Sequence, residues 1–270
     1  MTTWESICDP PATDEAWELF HENSKTGRFS DVRPTELVLA RMAELAESLP
    51  YTHYPTIPLP DEHLPLERPL GDTLADRVSA RSLRACPLTL PAVATLLHHA
   101  YGVTRTNVGT GYPRPFRSVP SGGALYPLEI YFHSTRVEGI EPGLYHYNPA
   151  ENLLHLIRYG DRSRQICEGV LQGELLANAA MVVFVTALFE RSVFKYGDRG
   201  YRFVLLEAGH VAQNLALVAN ALGLASVGIG GYFDREVDEL IGIDGLAHST
   251  IYLTALGRDA GAAPGPGGPV

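Results

Sequence analysis

Apolar residues along this chain recur with two periods, and the period changes several times. Val204, Ala208, Val211, Leu215, Val218 and Leu222 keep a 3.6-residue repeat, which predicts the longest helix over 199–222, with Gly223 at its C′ position. Glu207, His210 and Asn214 fall on a different, polar face of that helix. Val38, Met42, Leu45 and Leu49 predict a helix over 35–48, and 13–24 reads as a shorter one with Asp14 and Glu15 near its start. Another helix begins near residue 89, where Thr89 suits the N-cap and Pro91 the first turn. Val93, Leu96, Leu97 and Ala100 line one of its faces, and Gly102 ends it. The run MVVFVTA at 181–187 is apolar almost throughout, as in a strand covered on both faces. Strands are also expected over 128–133, 225–229 and 250–256, a hairpin over 144–147 and 153–158 around Asn148-Pro149, and a short helix over 234–241. Six prolines between Pro50 and Pro69 predict an extended arm, 104–118 a flexible loop, and the tail GAAPGPGGPV at 261–270 disorder. Helices and strands mix without regular alternation, so the class is α+β.

Composition narrows the function more than the fold. The chain has 270 residues, 45% hydrophobic and 19% charged, enough for a full core. Its net charge of −10 argues against a bulk nucleic-acid binder or a polybasic membrane-surface protein. No apolar run approaches the ~20 residues that cross a bilayer. The start, Met1 to Pro11, lacks a signal-peptide pattern, so the cytoplasm is the expected location. Cys8, Cys86 and Cys167 lie far apart and read as incidental thiols. His98 and His99 are adjacent, about 100° apart on a helix, and no HxxxH or HExxH spacing occurs, so no metal site is expected.

Three small-residue or basic segments and one mixed cluster could carry chemistry. In Arg77-Val-Ser79-Ala-Arg81, two guanidiniums and a hydroxyl can converge on a phosphate, although the same residues suit a solvated turn. In Pro120-Ser121-Gly122-Gly123-Ala124-Leu125-Tyr126-Pro127, small residues let the backbone approach a flat ligand; an ordinary turn before a strand is the plainer reading. Gly228-Ile-Gly230-Gly231 follows a strand but fails the dinucleotide fingerprint, because the sixth position is Phe233. Phe189-Glu-Arg191-Ser-Val-Phe-Lys195-Tyr196-Gly-Asp-Arg199-Gly-Tyr201-Arg202 clusters cations around a Lys-Tyr pair suited to general-base work. Its arginines could instead pair with Glu190, Asp198 and Glu207 in a structural network.

Taken in order, these segments resemble the SagB-type, McbC-like dehydrogenases of the FMN-dependent nitroreductase superfamily. The likeness runs through Phe20-His-Glu-Asn-Ser-Lys25, the RxSxR, PLTLPAVATLLHHAYGVTR at 87–105, PSGGALYPLEIY at 120–131, GLYHYNP at 143–149, FERSVFKYGDRGYR at 189–202 and LLEAGHVAQN at 205–214. It implies an α+β nitroreductase-like fold, a mixed central sheet flanked by helices, in an interlocked homodimer with FMN at the subunit interface. It implies an N-terminal helical extension with the Pro-rich arm over 1–70, an FMN-binding domain over 71–260 and a tail over 261–270. Arg77, Ser79, Arg81 and Arg258 would hold the FMN phosphate, and Pro120, Ser121, Gly122, Gly228, Gly230 and Gly231 would lie along the isoalloxazine. Lys195 and Tyr196 would be catalytic. The implied activity is oxidation of thiazoline or oxazoline rings in a ribosomally made peptide, with oxygen as acceptor and a cyclodehydratase as a partner. Two other functions stay open: an NAD(P)H-dependent reductase of nitro, quinone or dehydroamino acid substrates, and a non-catalytic flavin-binding subunit.

Overall fold

The computed structural model describes residues 15–28 and 33–261. Cys8, the start of the 13–24 helix and almost all of the Gly/Pro tail lie outside the described residues. In chain order the elements are α1 (Ala16–Asn23), α2 (Thr35–Glu44), β1 (Thr56–Pro58), α3 (Leu70–Asp76), β2 (Leu83–Arg84), α4 (Leu90–Tyr101), β3 (Val103–Arg105), β4 (Phe116–Arg117), β5 (Leu128–Ser134), β6 (Gly143–Asn148), β7 (Leu153–Tyr159), α5 (Ser163–Glu168), β8 (Met181–Leu188), α6 (Glu190–Tyr196), α7 (Arg199–Ala221), β9 (Ala225–Ile229), α8 (Asp234–Ile241) and β10 (His248–Asp259).

The main sheet runs β1-β7-β6-β5-β8-β10-β2, with β9 also paired to β10. Every ladder in it is antiparallel, which corrects the expected mixed sheet. Part of the cause is local: the four residues 149–152 join β6 to β7, and a turn that short can only return the chain antiparallel. Parallel contact survives in isolated bridges, Ser79 with Ser226 and Leu88 with Val137.

Both faces of the sheet are covered, as the apolar 181–187 run requires. Met181, Val183 and Val185 point with Leu128, Ile130 and Phe132 toward α4 and α7. Val182 and Phe184 point the other way, with Tyr131, Leu253 and Ala255, toward Ile166 of α5 and Val237 and Ile241 of α8. Such alternation is the period-2 geometry of a strand read on two buried faces. The Thr89 side chain caps α4 by accepting the Ala92 N–H, and Gly223 takes φ +71 beyond α7.

Several elements depart from the sequence reading. The 35–48 helix stops at Glu44, because the chain then turns into the core, where Glu129 captures Ser48 and the Leu49 N–H. Within the Pro-rich arm, β1 pairs with β7. The 104–118 loop is closed at its ends by the β3–β4 ribbon. Lys195 and Tyr196, just ahead of the expected long helix, end a further helix, α6, that the apolar spacing did not predict.

Candidate active site

Beyond α3, the chain runs beside β9, where the Ala80 N–H donates to the Ser226 carbonyl at 2.9 Å. That contact sets Arg77 and Ser79 next to Gly228. A cavity of about 520 Å³ opens there, lined by Arg77, Ser79, Ser226, Gly228, Tyr252 and Thr254, and by Ala208, Gly209, Ala212, Gln213 and Ala216 of α7. Gly228 has no room for a side chain, since a Cβ would fall 2.1 Å from the Tyr252 hydroxyl. The other expected phosphate and ring residues stand apart from this cavity within one chain. Arg81 is exposed, and Gly230 and Gly231 follow the end of β9. Arg258 lies near Cys86, whose thiol burial pushes up while Arg258 and Arg84 pull it down.

The second centre is built around residues 120–128. Gly123, Ala124 and Tyr126 have φ of +67°, +54° and +47°. For alanine and tyrosine this is a strained region that persists only where surrounding contacts dictate it. Those contacts are present. The Tyr126 N–H donates to Ser121 Oγ at 2.9 Å, the Arg117 N–H donates to the Tyr126 hydroxyl at 3.0 Å, and the buried Arg114 guanidinium donates to the Leu125 carbonyl at 3.1 Å. Leu125 packs with Val38 and Met42 of α2 and Phe194 of α6.

Lys195 and Tyr196 meet this loop. A Cβ added to Gly123 would lie 2.6 Å from both Lys195 Nζ and the Tyr196 hydroxyl, so both polar ends converge on one glycine. Gly122 lies against the Phe203 ring, and Tyr196 meets the same ring edge-on at 4.8 Å. The corner between α6 and α7 is tight: a Cβ at Gly200 would fall 2.9 Å from the backbone of Ser192 and Val193. One turn before Lys195, Arg191 forms a buried ion pair with Glu129 of β5 at 2.6 Å. Glu129 also contacts His146 Nε2 at 2.6 Å. Burial by itself would raise the Glu129 pKa, but Arg191 and His146 outweigh it and hold the carboxyl well below the usual range.

Of the carboxylates proposed as structural partners for the arginines, none takes Arg191, Arg199 or Arg202. Glu190 pairs with Arg41, and Arg191 goes to Glu129. Arg199 and Arg202 instead donate to the last turn of α1: to the Ser24 carbonyl at 3.3 Å, and to Ser24 Oγ at 2.8 Å and the His21 carbonyl at 2.5 Å. The Phe20–Lys25 segment is thereby docked against α7, where Asn23 to Thr26 wall a cavity of about 600 Å³ with Lys195, Tyr196, Arg199 and Phe203. The candidate residues thus divide between two cavities of one chain. Arg77, Ser79 and Gly228 line the first, and Lys195 and Tyr196 the second.

Two site-building residues escaped the sequence reading. Glu129 sits in a strand whose neighbours are all apolar or aromatic, and a charge at such a position was the available signal. Glu207 was placed on the polar face of α7, yet it is buried. The helical repeat locates it correctly in angle; only the packing of Tyr101 and the 120–128 loop over that face takes it out of water. Among the described residues no group of three or more His, Cys, Asp or Glu side chains could hold a metal, and no helix is long and apolar enough to cross a membrane.

Comparison with known proteins agrees with this architecture. A protein of Methanocaldococcus jannaschii named as a nitroreductase, MJ1384, is 40% identical over 188 residues, covering 69% of this chain and 89% of the relative. The microcin B17-processing protein McbC of Escherichia coli is 34% identical over 135 residues, 47% of this chain and 49% of McbC. A crystal structure named as a nitroreductase from Anabaena variabilis superposes with a TM-score of 0.66 at 28% identity, covering 86% of this chain and 49% of that one. The chain therefore spans about half the length of McbC and of the Anabaena protein, and most of the archaeal one. A sequence model of the nitroreductase family matches residues 74–258, from the end of α3 through the RxSxR segment to the last strand. On that match this chain belongs to the nitroreductase family, whose members depend on FMN.

Proposed function

We propose that this chain is an FMN-dependent dehydrogenase that oxidises azoline rings in a peptide to azoles, acting as a homodimer. The observation that carries the reading is the convergence of Lys195 Nζ and the Tyr196 hydroxyl on Gly123, in a strained loop of small residues. Aromatising an azoline needs a proton and a hydride removed from adjacent ring atoms, so a base must face a hydride acceptor. The likeness to McbC, a processing protein for microcin B17, supports a peptide substrate and a cyclodehydratase partner that forms the azoline. Oxygen would take the electrons onward.

The residues of the first cavity fit FMN. Arg77 offers a planar donor fork for the phosphate; Ser79, Ser226 and Gln213 offer polar groups for the ribityl chain. The small α7 residues Ala208, Gly209, Ala212 and Ala216 leave a smooth wall for a flat ring, with Tyr252 packed over Gly228. When bound, FMN supplies the hydride acceptor. The chain's own residues do the rest. Lys195 and Tyr196 withdraw and relay the ring proton, the 120–127 loop orients the ring, and Phe203 and the docked end of α1 wall the cavity onto which the pair opens.

Because the cradle and the Lys-Tyr pair occupy separate cavities, a complete site needs the cradle of one copy beside the loop of another. Exposed apolar side chains are available for such contact: Leu70, Leu74 and Val78 around α3, and Tyr201, Leu205 and Leu206 on the first turns of α7. The protein is expected to be a dimer by light scattering, and Leu206→Glu is expected to yield monomers that lose FMN. A parent that is monomeric with full FMN content would refute the shared site. Arg77→Ala is expected to weaken FMN binding ~10–100-fold, as loss of a charge-assisted hydrogen bond of about 1.5–3 kcal/mol implies. Arg81→Ala, exposed and off the cavity, is expected to do less. Fluorescence titration of the apoprotein with FMN measures both.

The relationship to MJ1384 favours a second reading, an NAD(P)H-dependent reductase. One incubation separates the two. An azoline peptide with oxygen and no nicotinamide yields a product lighter by about 2 Da, the loss of two hydrogens, under the first reading. Turnover only with NADPH and a nitro or quinone acceptor supports the second.

A further inference from the structure

The Glu207 carboxyl is 2% exposed, beneath the loop that Lys195 and Tyr196 meet. Two hydroxyls donate to it: Tyr101 Oη to Oε1 at 2.8 Å, and Ser121 Oγ. Each hydroxyl also accepts a backbone N–H of the strained segment, Ser121 from Tyr126 at 2.9 Å and Tyr101 from Leu128 at 3.1 Å. A hydroxyl has one proton and accepts an amide freely only when that proton points elsewhere. The carboxylate is the shared acceptor that draws both protons away. One buried group therefore orients the clamps at both ends of a stretch that includes Gly123, Ala124 and Tyr126, all at positive φ.

We propose that Glu207 is a positioning residue: its carboxylate sets the conformation of residues 121–128 and thereby the meeting of Gly123 with Lys195 and Tyr196. Only the activity readout rests on the azoline reading above. The hydrogen bonds of Glu207 run to Tyr101 and Ser121, so it acts on the Lys-Tyr pair through the loop. Gln is the informative replacement. It keeps the shape but turns one oxygen into an NH2 donor, so the two hydroxyls must share a single, uncharged carbonyl acceptor.

The proton state of Glu207 offers a second handle. The groups facing it are Tyr101 from α4, Arg117 from β4, which lies over the Tyr101 ring at 4.3 Å, and Ser121 and Tyr126 from the loop. Burial raises its pKa to about 7, against the opposing pull of both hydroxyls and Arg117. A raised carboxyl contributes global stability that is present at low pH and lost as pH rises through about 7. Locally the sign is opposite, because the added O–H displaces one hydroxyl donor from the carboxyl.

The test is amide hydrogen exchange on FMN-loaded protein, parent against Glu207→Gln, with rates corrected for intrinsic pH dependence. The Tyr126 and Leu128 amides are expected to exchange at least ~10-fold faster in the variant, with the sheet amides of Val183 and Val185 unchanged. In the parent the same two amides are expected to lose protection below pH 7, and in the variant to show no such step. With an azoline peptide, kcat is expected to fall ~10–100-fold at little-changed KM, the pattern for a lost positioning interaction. Unchanged exchange at Tyr126 and Leu128, or an equal rise across the sheet, would overturn the positioning role. A loosened loop with parental kcat would overturn its catalytic consequence. If the parent itself fails to turn over azoline, the substrate reading falls, and the exchange pattern and its pH step still decide Glu207.

Discussion

Lys195→Ala and Tyr196→Phe are each expected to keep FMN and the dimer yet oxidise an azoline peptide ~10²–10⁴-fold more slowly, the usual contribution of a positioned general base. The double variant is expected to lose little more than either single one, since residues acting as a unit fail together. Geometry motivates this forecast: both polar ends converge on Gly123, and among the described residues the carboxylates Glu190 and Glu129 pair with Arg41 and Arg191 instead of Lys195. A lysine held only on a surface would contribute ~1 kcal/mol or less of stability and nothing to turnover. Single-turnover flavin reduction, followed by absorbance under anaerobic conditions, separates the chemical step from reoxidation. Near-parental reduction in Lys195→Ala would transfer the argument to the reductase reading.

Glu129→Ala is expected to destabilise the fold by about 3–5 kcal/mol, because it leaves the buried Arg191 charge unpaired. For a domain of this size that lowers Tm by roughly 6–20 °C. The pair joins β5, at the end of the 120–127 loop, to α6, which carries Lys195 and Tyr196. Activity is therefore expected to fall even at temperatures where the variant stays folded. The acid dependence carries a defined sign. A depressed carboxyl contributes stability that is present above its unfolded pKa, near 4.3, and lost as pH falls toward its folded value. The parent is expected to weaken steeply below pH 4, and Glu129→Ala more gently. Urea unfolding at pH 7 and pH 3 measures both effects, and equal losses in parent and variant would remove Glu129 from the account.

Much of the site was legible because it lies in short segments whose composition is unusual by itself. RxSxR, the Pro-Ser-Gly-Gly loop and the Lys-Tyr cluster each stand out against their neighbours, and the 3.6-residue repeat of α7 is long enough to leave no doubt about its axis. The division of these segments between two cavities was not legible. It depends on which face of α7 each one packs against, and that is decided by contacts between residues far apart in sequence. The same holds for the Phe20–Lys25 segment, assigned to an N-terminal extension but docked by Arg199 and Arg202 against the Lys195–Tyr196 cavity.

Glu207 and Asp244 mark the boundary between the two kinds of information. Asp244 accepts the N–H groups of Leu246, Ala247 and His248, a turn readable from residues within four positions of it. Glu207 belongs by periodicity to a polar helix face, and only the arrival of Tyr101 and Ser121 converts that face into an interior. What the sequence by itself determined is the longer helices and the strands of the sheet centre, their buried sides, and the chemical groups available to a flavin and a proton. The tertiary structure decided the antiparallel sheet, the burial of Glu129 and Glu207, and the approach of Lys195 and Tyr196 to Gly123. The reason is physical: periodicity records how one segment divides between water and core, whereas desolvation and backbone strain arise only when separate segments close on one another.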